Sequence, residues 1–396
     1  MSGYTKYMYE QDMHETKKEF AEYILNILPL LPAEYDEDQI MELLVRYYPF
    51  EWQMLKEKYQ AYCKTDKKLK HFGKRPRYSM PTPESLIAHL QIYCKILQAK
   101  YKFEYKSRFN ADEQKKYKEG FEKKRIPQIE KRKKKVSKAK QKAQEIEPKF
   151  LDELMGLYDR KNTTQKDRVY IIKELQKYYC PKVINFFKRK AHSEYNRQLR
   201  CMAFYHLQEL GHYSILRKQK YMQMHTRNKK SREKLEKYAF ETFNIQEIPE
   251  ELEYRIENSK DQKIKVFDYF ISHSSQDYEK IQKLIQNLNK QNKNVYCDWI
   301  NDTDYLKRKL VGSSTLEVIK KRIQQSKMII WVKSAASLKS NWVKYELNYA
   351  HRLGTEIYFV DTNEIDYGIA KFMKLGELWF EDENYEDIEL FRLSEN

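Results

Sequence analysis

From Lys263 onward the chain alternates short apolar runs with amphipathic helical patterns, and this alternation limits its fold more than any other feature. Residues 266–271, apolar apart from Asp268, read as a strand. Residues 277–288 then place Ile281, Leu284, Ile285 and Leu288 on one helical face. Residues 295–299 read as a second strand, 316–323 as a helix, 328–332 as a third strand, 341–352 as a helix and 356–360 as a fourth strand. A short helix near 369–375, a strand at 378–380 and a helical tail complete the set. Such alternation implies a parallel sheet covered on both faces. With five strands, a flavodoxin-like parallel sheet is expected, its site outside the carboxyl ends of the strands at the switch point.

The joint after the third strand carries the first chemical signal. Small polar residues fill it, and Trp342 and Glu346 then stand four apart on one face of the next helix. On its own, Glu346 reads as an exposed acid near Lys344 as readily as a catalytic group. Trp342 reads equally as sheet cover or as ligand wall. Asp268 fits a hydrogen-bond acceptor on its strand. His273 has no evident partner in the sequence, and a loop hydrogen bond accounts for it better than catalysis. Ser274-x-x-Asp277 reads as a capping box whose helix N-terminus can favour phosphate. The chain has no Gly-x-Gly-x-x-Gly and no Walker loop, which sets aside an ordinary dinucleotide dehydrogenase or NTPase.

Before residue 263 the pattern is helical, and only 9 glycines in 396 residues agree with that. Residues 1–105 form an N-terminal helical region, with helices at 15–28, 37–48 and 51–63, a Pro- and Lys/Arg-rich loop at 64–83, and a helix capped by Thr82 and running to about 105. Residues 106–147 are a basic arm or linker, either a long exposed helix broken near Pro127 or a partly disordered segment. Residues 148–244 are amphipathic again, weakly similar to a HEAT-type unit, with Gly211 as a helix stop. Residues 245–262 read as a linker to the last domain, 263–396.

Charge divides the chain at the same place. The net charge is +18, yet residues 263–396 hold 20 Lys/Arg against 20 Asp/Glu, so the excess lies in 1–262. The run Lys131-Arg-Lys-Lys-Lys135, continued by Lys138, Lys140 and Lys142, keeps a nucleic-acid partner open, although no DNA- or RNA-binding motif accompanies it. The five cysteines, Cys63, Cys94, Cys180, Cys201 and Cys297, are widely spaced. They suggest reduced thiols in a reducing compartment and no metal site. The longest apolar run, residues 23–31, is too short to span a bilayer and contains Pro29. A cytoplasmic protein with no membrane partner is expected.

Four blocks of the C-terminal segment resemble the Toll/interleukin-1 receptor (TIR) family, particularly its bacterial members, over residues 263–380 or so. Phe267-Asp-Tyr-Phe-Ile-Ser-His-Ser-Ser-Gln-Asp277 is similar to the first strand and its loop. Val295-Tyr-Cys-Asp-Trp-Ile-Asn-Asp302 is similar to the second strand and the mobile loop after it, and residues 328–334 to the central strand. Ser340-Asn-Trp-Val-Lys-Tyr-Glu346 is similar to the Trp-x-x-x-Glu helix of the NAD-cleaving members. The resemblance does not reach residues 1–262.

The resemblance implies an NAD+ nucleosidase with Glu346 as its catalytic residue. NAD+ is then the substrate, no prosthetic cofactor is needed, and cyclisation of the product is left open. It further implies that Phe270, Ser272 and Ser274 flank the nucleotide, that residues 298–306 with Asp298 close over it, and that Trp342 packs against it. Self-association through the TIR domain and a regulated effector role in antiviral defence follow from the same resemblance, with the helical region answering a protein or nucleic-acid trigger. A non-enzymatic TIR adaptor, and a nucleic-acid-binding protein that uses its TIR domain to oligomerise, stand as alternatives. The chemistry explains why one acid can suffice. Glycosidases need a second carboxyl to protonate the leaving group. Nicotinamide is already cationic on the ribose and departs neutral, so what remains is to stabilise an oxocarbenium-like ribose.

Overall fold

The computed structural model describes residues 3–219, 222, 226–366 and 371–376. The chain divides into two compact units, Met1–Lys138 with Leu207–Gln223, and Ala139–His206 with Met224–Asn396. Among the described residues, no helix is long and apolar enough to cross a membrane.

The first unit is helical. Helices α1 (Gly3–Ile27), α2 (Glu37–Tyr47) and α3 (Pro49–His71) are followed by α4 (Pro83–Ala88), α5 (Gln91–Leu97), α6 (Ala99–Arg108) and the long α7 (Ala111–Gln141). Asp36 caps α2 in a capping box with Gln39. Helix α3 runs on to His71, past the loop start expected at 64. Buried Asp66, on that extension, accepts the backbone N–H groups of Arg77, Tyr78 and Ser79, so the added turns tie down the returning loop. Helix α7 passes through Pro127 without ending. On either side of that proline, Arg125 and Arg132 both bind Glu51, and they lie over the rings of Tyr48 and Phe50. These anchors pin the helix near the proline, where its lost backbone bond would loosen it. Lys131, Lys133, Lys134, Lys135 and Lys138 remain exposed on it.

The second unit opens with helices α8 (Phe150–Asp159), α9 (Gln165–Leu175), α10 (Pro181–Ser193), α11 (Arg197–Glu209) and α12 (Lys229–Phe240). The segment 245–262, read from the sequence as a linker, carries α13 (Pro249–Asn258) and the start of α14 (Lys260–Lys263). The α/β part then runs β1 (Phe267–Ser272), α15 (Tyr278–Lys290), β2 (Val295–Tyr296), α16 (Asp298–Asn301), α17 (Ser313–Gln324), β3 (Ser326–Lys333), α18 (Ala335–Lys339), α19 (Asn341–Arg352), β4 (Ile357–Asp361), α20 (Thr362–Asp366) and β5 (Met373–Lys374).

The sheet order is β2-β1-β3-β4-β5, the flavodoxin-like arrangement for its first four strands. Strands β1 to β4 are parallel, but β5 pairs antiparallel with β4, so the sheet is mixed where an all-parallel one was expected. The connection 362–372 explains the difference, because a parallel return needs a crossover of a dozen or more residues and α20 is a single short helix. Met373–Lys374 also replaces the short helix expected near 369–375. The strand expected at 378–380 and the helical tail lie outside the described residues.

Ile329, Ile330, Trp331 and Val332 alternate between two apolar clusters, one on each face of the sheet. Ile281, Leu284, Ile285 and Leu288 of α15 cover one face. Leu316, Ile319 and Ile323 of α17 and Val343, Leu347 and Ala350 of α19 cover the other. The edge strand β2 is shielded by Gln144. Its amide donates to the Val295 carbonyl at 2.7 Å and accepts from the Val295 N–H at 3.4 Å.

Beneath β2 sits a buried ionic group. Arg322 binds Asp302 through Nε at 2.7 Å and Nη2 at 3.1 Å, and its Nη2 also reaches Gln262 at 2.8 Å. Gln262 and Lys177 in turn bind Glu174, at 3.0 and 2.8 Å. Burial alone would raise the Asp302 carboxyl, but Arg322, Lys177 and Lys265 hold it below the usual carboxylate range.

Candidate active site

Strand β1 ends in Ser272, which is fully buried and pairs with Trp331 of β3. This places its side chain between the carboxyl ends of β1 and β3, where the crossover connections diverge to opposite sides of the sheet. The Ser272 hydroxyl donates to Glu346 Oε2 at 2.6 Å. Glu346 is presented by α19, whose first turn is capped by Ser340, accepting from the Val343 N–H at 3.4 Å. Val343, Leu347 and Ala350 seat the helix on the sheet, and Trp342 and Glu346 lie on the face adjoining that buried stripe.

That face meets a cavity of about 860 Å³, bordered by His273, Ser274, Asp298, Lys339, Trp342 and Glu346 among others. The volume falls in the range of small-molecule sites. Burial raises the Glu346 carboxyl well above its usual range; the Ser272 hydrogen bond pulls it back, and the Asp298 carboxylate pushes it up again. An acid held this way ionises most readily when a cation enters beside it.

Five of the six residues singled out in the sequence meet here, and one does not. Glu346, Trp342, Ser274 and Asp298 border the cavity, whereas Ser272 reaches it only through Glu346. Trp342 is both wall and core, since it is half-buried and packs on the apolar cluster under α19. Phe270 is not beside the cavity. It is 2% exposed and stacks on Tyr296 at 5.0 Å within that cluster. The strand's alternation sends Phe270 into the core and leaves the loop beyond Ser272 to form the wall.

The loop 298–306 has two sides. Asp298, Trp299, Thr303 and Leu306 border the cavity. Asp302 anchors the loop from below through Arg322, and Tyr305 through a cluster with Tyr170, Leu252 and Ile256. Ser274 accepts from the Gln276 N–H at 3.4 Å, while Asp277 accepts a 2.6 Å bond from the Ser334 hydroxyl and so ties the loop after β1 to the joint after β3.

His273 makes the loop hydrogen bond expected of it and also meets Asp298 and Cys297. His273 Nδ1 lies 2.9 Å from the Ile271 carbonyl, its Nε2 is 3.5 Å from Asp298 Oδ1 and 3.9 Å from Cys297 Sγ. The parallel register that pairs Phe270 with Tyr296 brings both strand ends together, a relation no local motif displays.

A sheet of this order, four of its five strands parallel, with an acid at the switch point beside a cavity, is the arrangement of a TIR-type α/β domain. The sequence profile of the TIR domain matches residues 270–363. The chain is 35% identical over 367 residues, 92% of its length and 93% of the relative's, to a Cytobacillus dafuensis protein named "Putative cyclic ADP-D-ribose synthase TIR2", and it belongs to that TIR family. It is also 36% identical over 87 residues, 22% of its length and 45% of the relative's, to a Bacillus cereus protein named "Probable 3' cyclic ADP-D-ribose synthase ThsB'". No solved structure matches the chain.

Proposed function

We propose that the chain cleaves the nicotinamide–ribose bond of NAD+ and closes the product into a cyclic ADP-ribose. The observation that carries this reading is the Glu346 carboxyl, held by Ser272 at the edge of the cavity. Both named relatives are described as cyclic ADP-ribose synthases, which supports NAD+ as the substrate and a cyclic product.

In the proposed reaction the ribose C1′–nicotinamide bond breaks, and both electrons leave with the ring nitrogen. Nicotinamide departs neutral without a general acid. The positive charge passes to the ribose, where the ionised Glu346 carboxylate stabilises it. The substrate's own cation draws Glu346 into that ionised form. A nitrogen or hydroxyl of the same ADP-ribose then bonds to C1′, and any proton it loses goes to solvent; capture by water gives linear ADP-ribose instead. Trp342 and the loop 298–306 wall the cavity and limit the entry of water.

The wider reading is of a regulated effector in antiviral defence, switched on by self-association of the TIR domain and controlled by the helical region. Full-length protein at high concentration, incubated with NAD+ and analysed by chromatography, tests the chemistry. Nicotinamide should appear together with a cyclic ADP-ribose. Linear ADP-ribose alone would overturn the cyclase reading, and no nicotinamide under any assembly condition would overturn the enzymatic one.

A further inference from the structure

We infer that His273, Cys297 and Asp298 form a binding site for one Zn2+ ion at the wall of the cavity. One donor atom from each lies within 4.8 Å of the other two, a grouping that the wide cysteine spacing in the sequence gave no reason to expect. A tetrahedral zinc ion with bonds of about 2.0–2.3 Å needs donor–donor edges of roughly 3.3–3.6 Å. The edges here are 3.5 Å from His273 Nε2 to Asp298 Oδ1, 3.9 Å from Nε2 to Cys297 Sγ and 3.9 Å from Sγ to Asp298 Oδ1. Closing the triangle takes shifts of a few tenths of an ångström.

Each donor is already aimed. The Ile271 carbonyl can only accept a hydrogen bond, so the 2.9 Å contact makes Nδ1 the N–H donor and leaves Nε2, which faces the other two donors, as the nitrogen available to a metal. Asp298 Oδ1 accepts the Trp299 N–H at 2.8 Å, which holds its carboxylate in place. The Cys297 backbone N–H is fixed by Asn301 Oδ1 at 2.9 Å, and Asn301 is in reach of the Gln144 amide. This is the outer support that metal-ligating side chains require. One sulfur, one imidazole and one carboxylate form a borderline donor set suited to zinc and poor for Mg2+ or Ca2+.

The site also has an entrance. Asp298 is half-exposed and borders the cavity with His273, while Cys297 lies beneath them. An ion arriving through the cavity meets carboxylate and imidazole first and the sulfur last. On binding, the Cys297 thiol gives up its proton to solvent and forms the Zn–S bond. Because His273 and Asp298 border the cavity, a zinc ion held between them would obstruct the substrate space. This obstruction rests on the NAD+ reading; the binding of the metal does not.

Metal-free full-length protein is titrated with Co2+ as a spectroscopic stand-in and with Zn2+ by calorimetry. One equivalent of Co2+ should produce a thiolate-to-cobalt charge-transfer band, and one equivalent of Zn2+ should abolish it. Cys297→Ser should lose the band, and His273→Gln, which keeps the thiol, should weaken Zn2+ affinity at least tenfold. Cys63→Ser should leave the band intact. Circular dichroism establishes that each variant is folded. Absence of the band in the wild type, or its persistence in folded Cys297→Ser, would overturn the site. Zn2+ should also slow nicotinamide release in the wild type far more than in Cys297→Ser. A protein that shows the cobalt band but releases no nicotinamide with or without metal would keep the zinc site and sink the NAD+ reading.

Discussion

Ser272 donates a 2.6 Å hydrogen bond to Glu346, and this contact draws the buried carboxyl back toward ionisation. Ser272→Ala removes that pull, so the Glu346 pKa rises further. If the ionised form is the active one, the acid limb of kcat/KM for nicotinamide release moves to higher pH, while the rate at high pH falls much less. A pH–rate profile of the two proteins checks this, and an unmoved acid limb would contradict it.

The same burial makes Glu346 a cost to the fold. Its folded pKa lies above its unfolded value, so between the two the native state holds more protons, and stability falls as pH rises through that window. Glu346→Gln should therefore be more stable than the wild type at neutral pH while being inactive. A gain of about 1 kcal/mol corresponds to roughly 2–4 °C for a domain of this size. Thermal melts at neutral pH and near pH 4 measure it, and the gap should close in acid.

The Asp302–Arg322 pair has the opposite sign. The Asp302 carboxyl sits below its usual range, so its contribution is complete above the ordinary carboxylate pKa and is lost as pH falls through the folded value. Asp302→Ala leaves a buried guanidinium without its partner and should cost about 3–5 kcal/mol. Replacing both residues with apolar side chains should recover most of that loss. Urea denaturation of the single and double variants decides it; an equal loss in both would show that the pairing is not the cause.

Gln144 should matter more than a polar residue in a basic stretch ordinarily does. Its side chain is bonded to both backbone polar groups of Val295 on the edge strand. Gln144→Ala should cost about 1–3 kcal/mol and speed hydrogen exchange at the Val295 amide. Unchanged exchange there would show that the edge is held by other contacts.

The sequence made the sheet legible because strands buried on both faces must be short apolar runs, and helices between them leave few strand orders. It misjudged β5 because Met373–Lys374 is an exposed two-residue edge with no pattern to read. The Trp342–Glu346 face was legible because i,i+4 spacing is local. The partner of Glu346 was not, since Ser272 lies 74 residues away. Phe270 was set beside the nucleotide because a family resemblance gives its place in the chain, whereas its stacking on Tyr296 depends on the pairing of two strands. His273 makes the loop hydrogen bond that its position suggested, to Ile271, whereas Cys297 and Asp298 reach it from the end of β2 and left no local signal.

The central claim concerns one carboxylate. Nicotinamide release by full-length protein, compared between the wild type and folded Glu346→Gln at equal concentration and assembly, tests it most directly. The account predicts release by the wild type and a loss of at least about a hundredfold in the variant, the size expected when a transition-state electrostatic partner is removed. Equal rates in the two proteins would place the chemistry elsewhere.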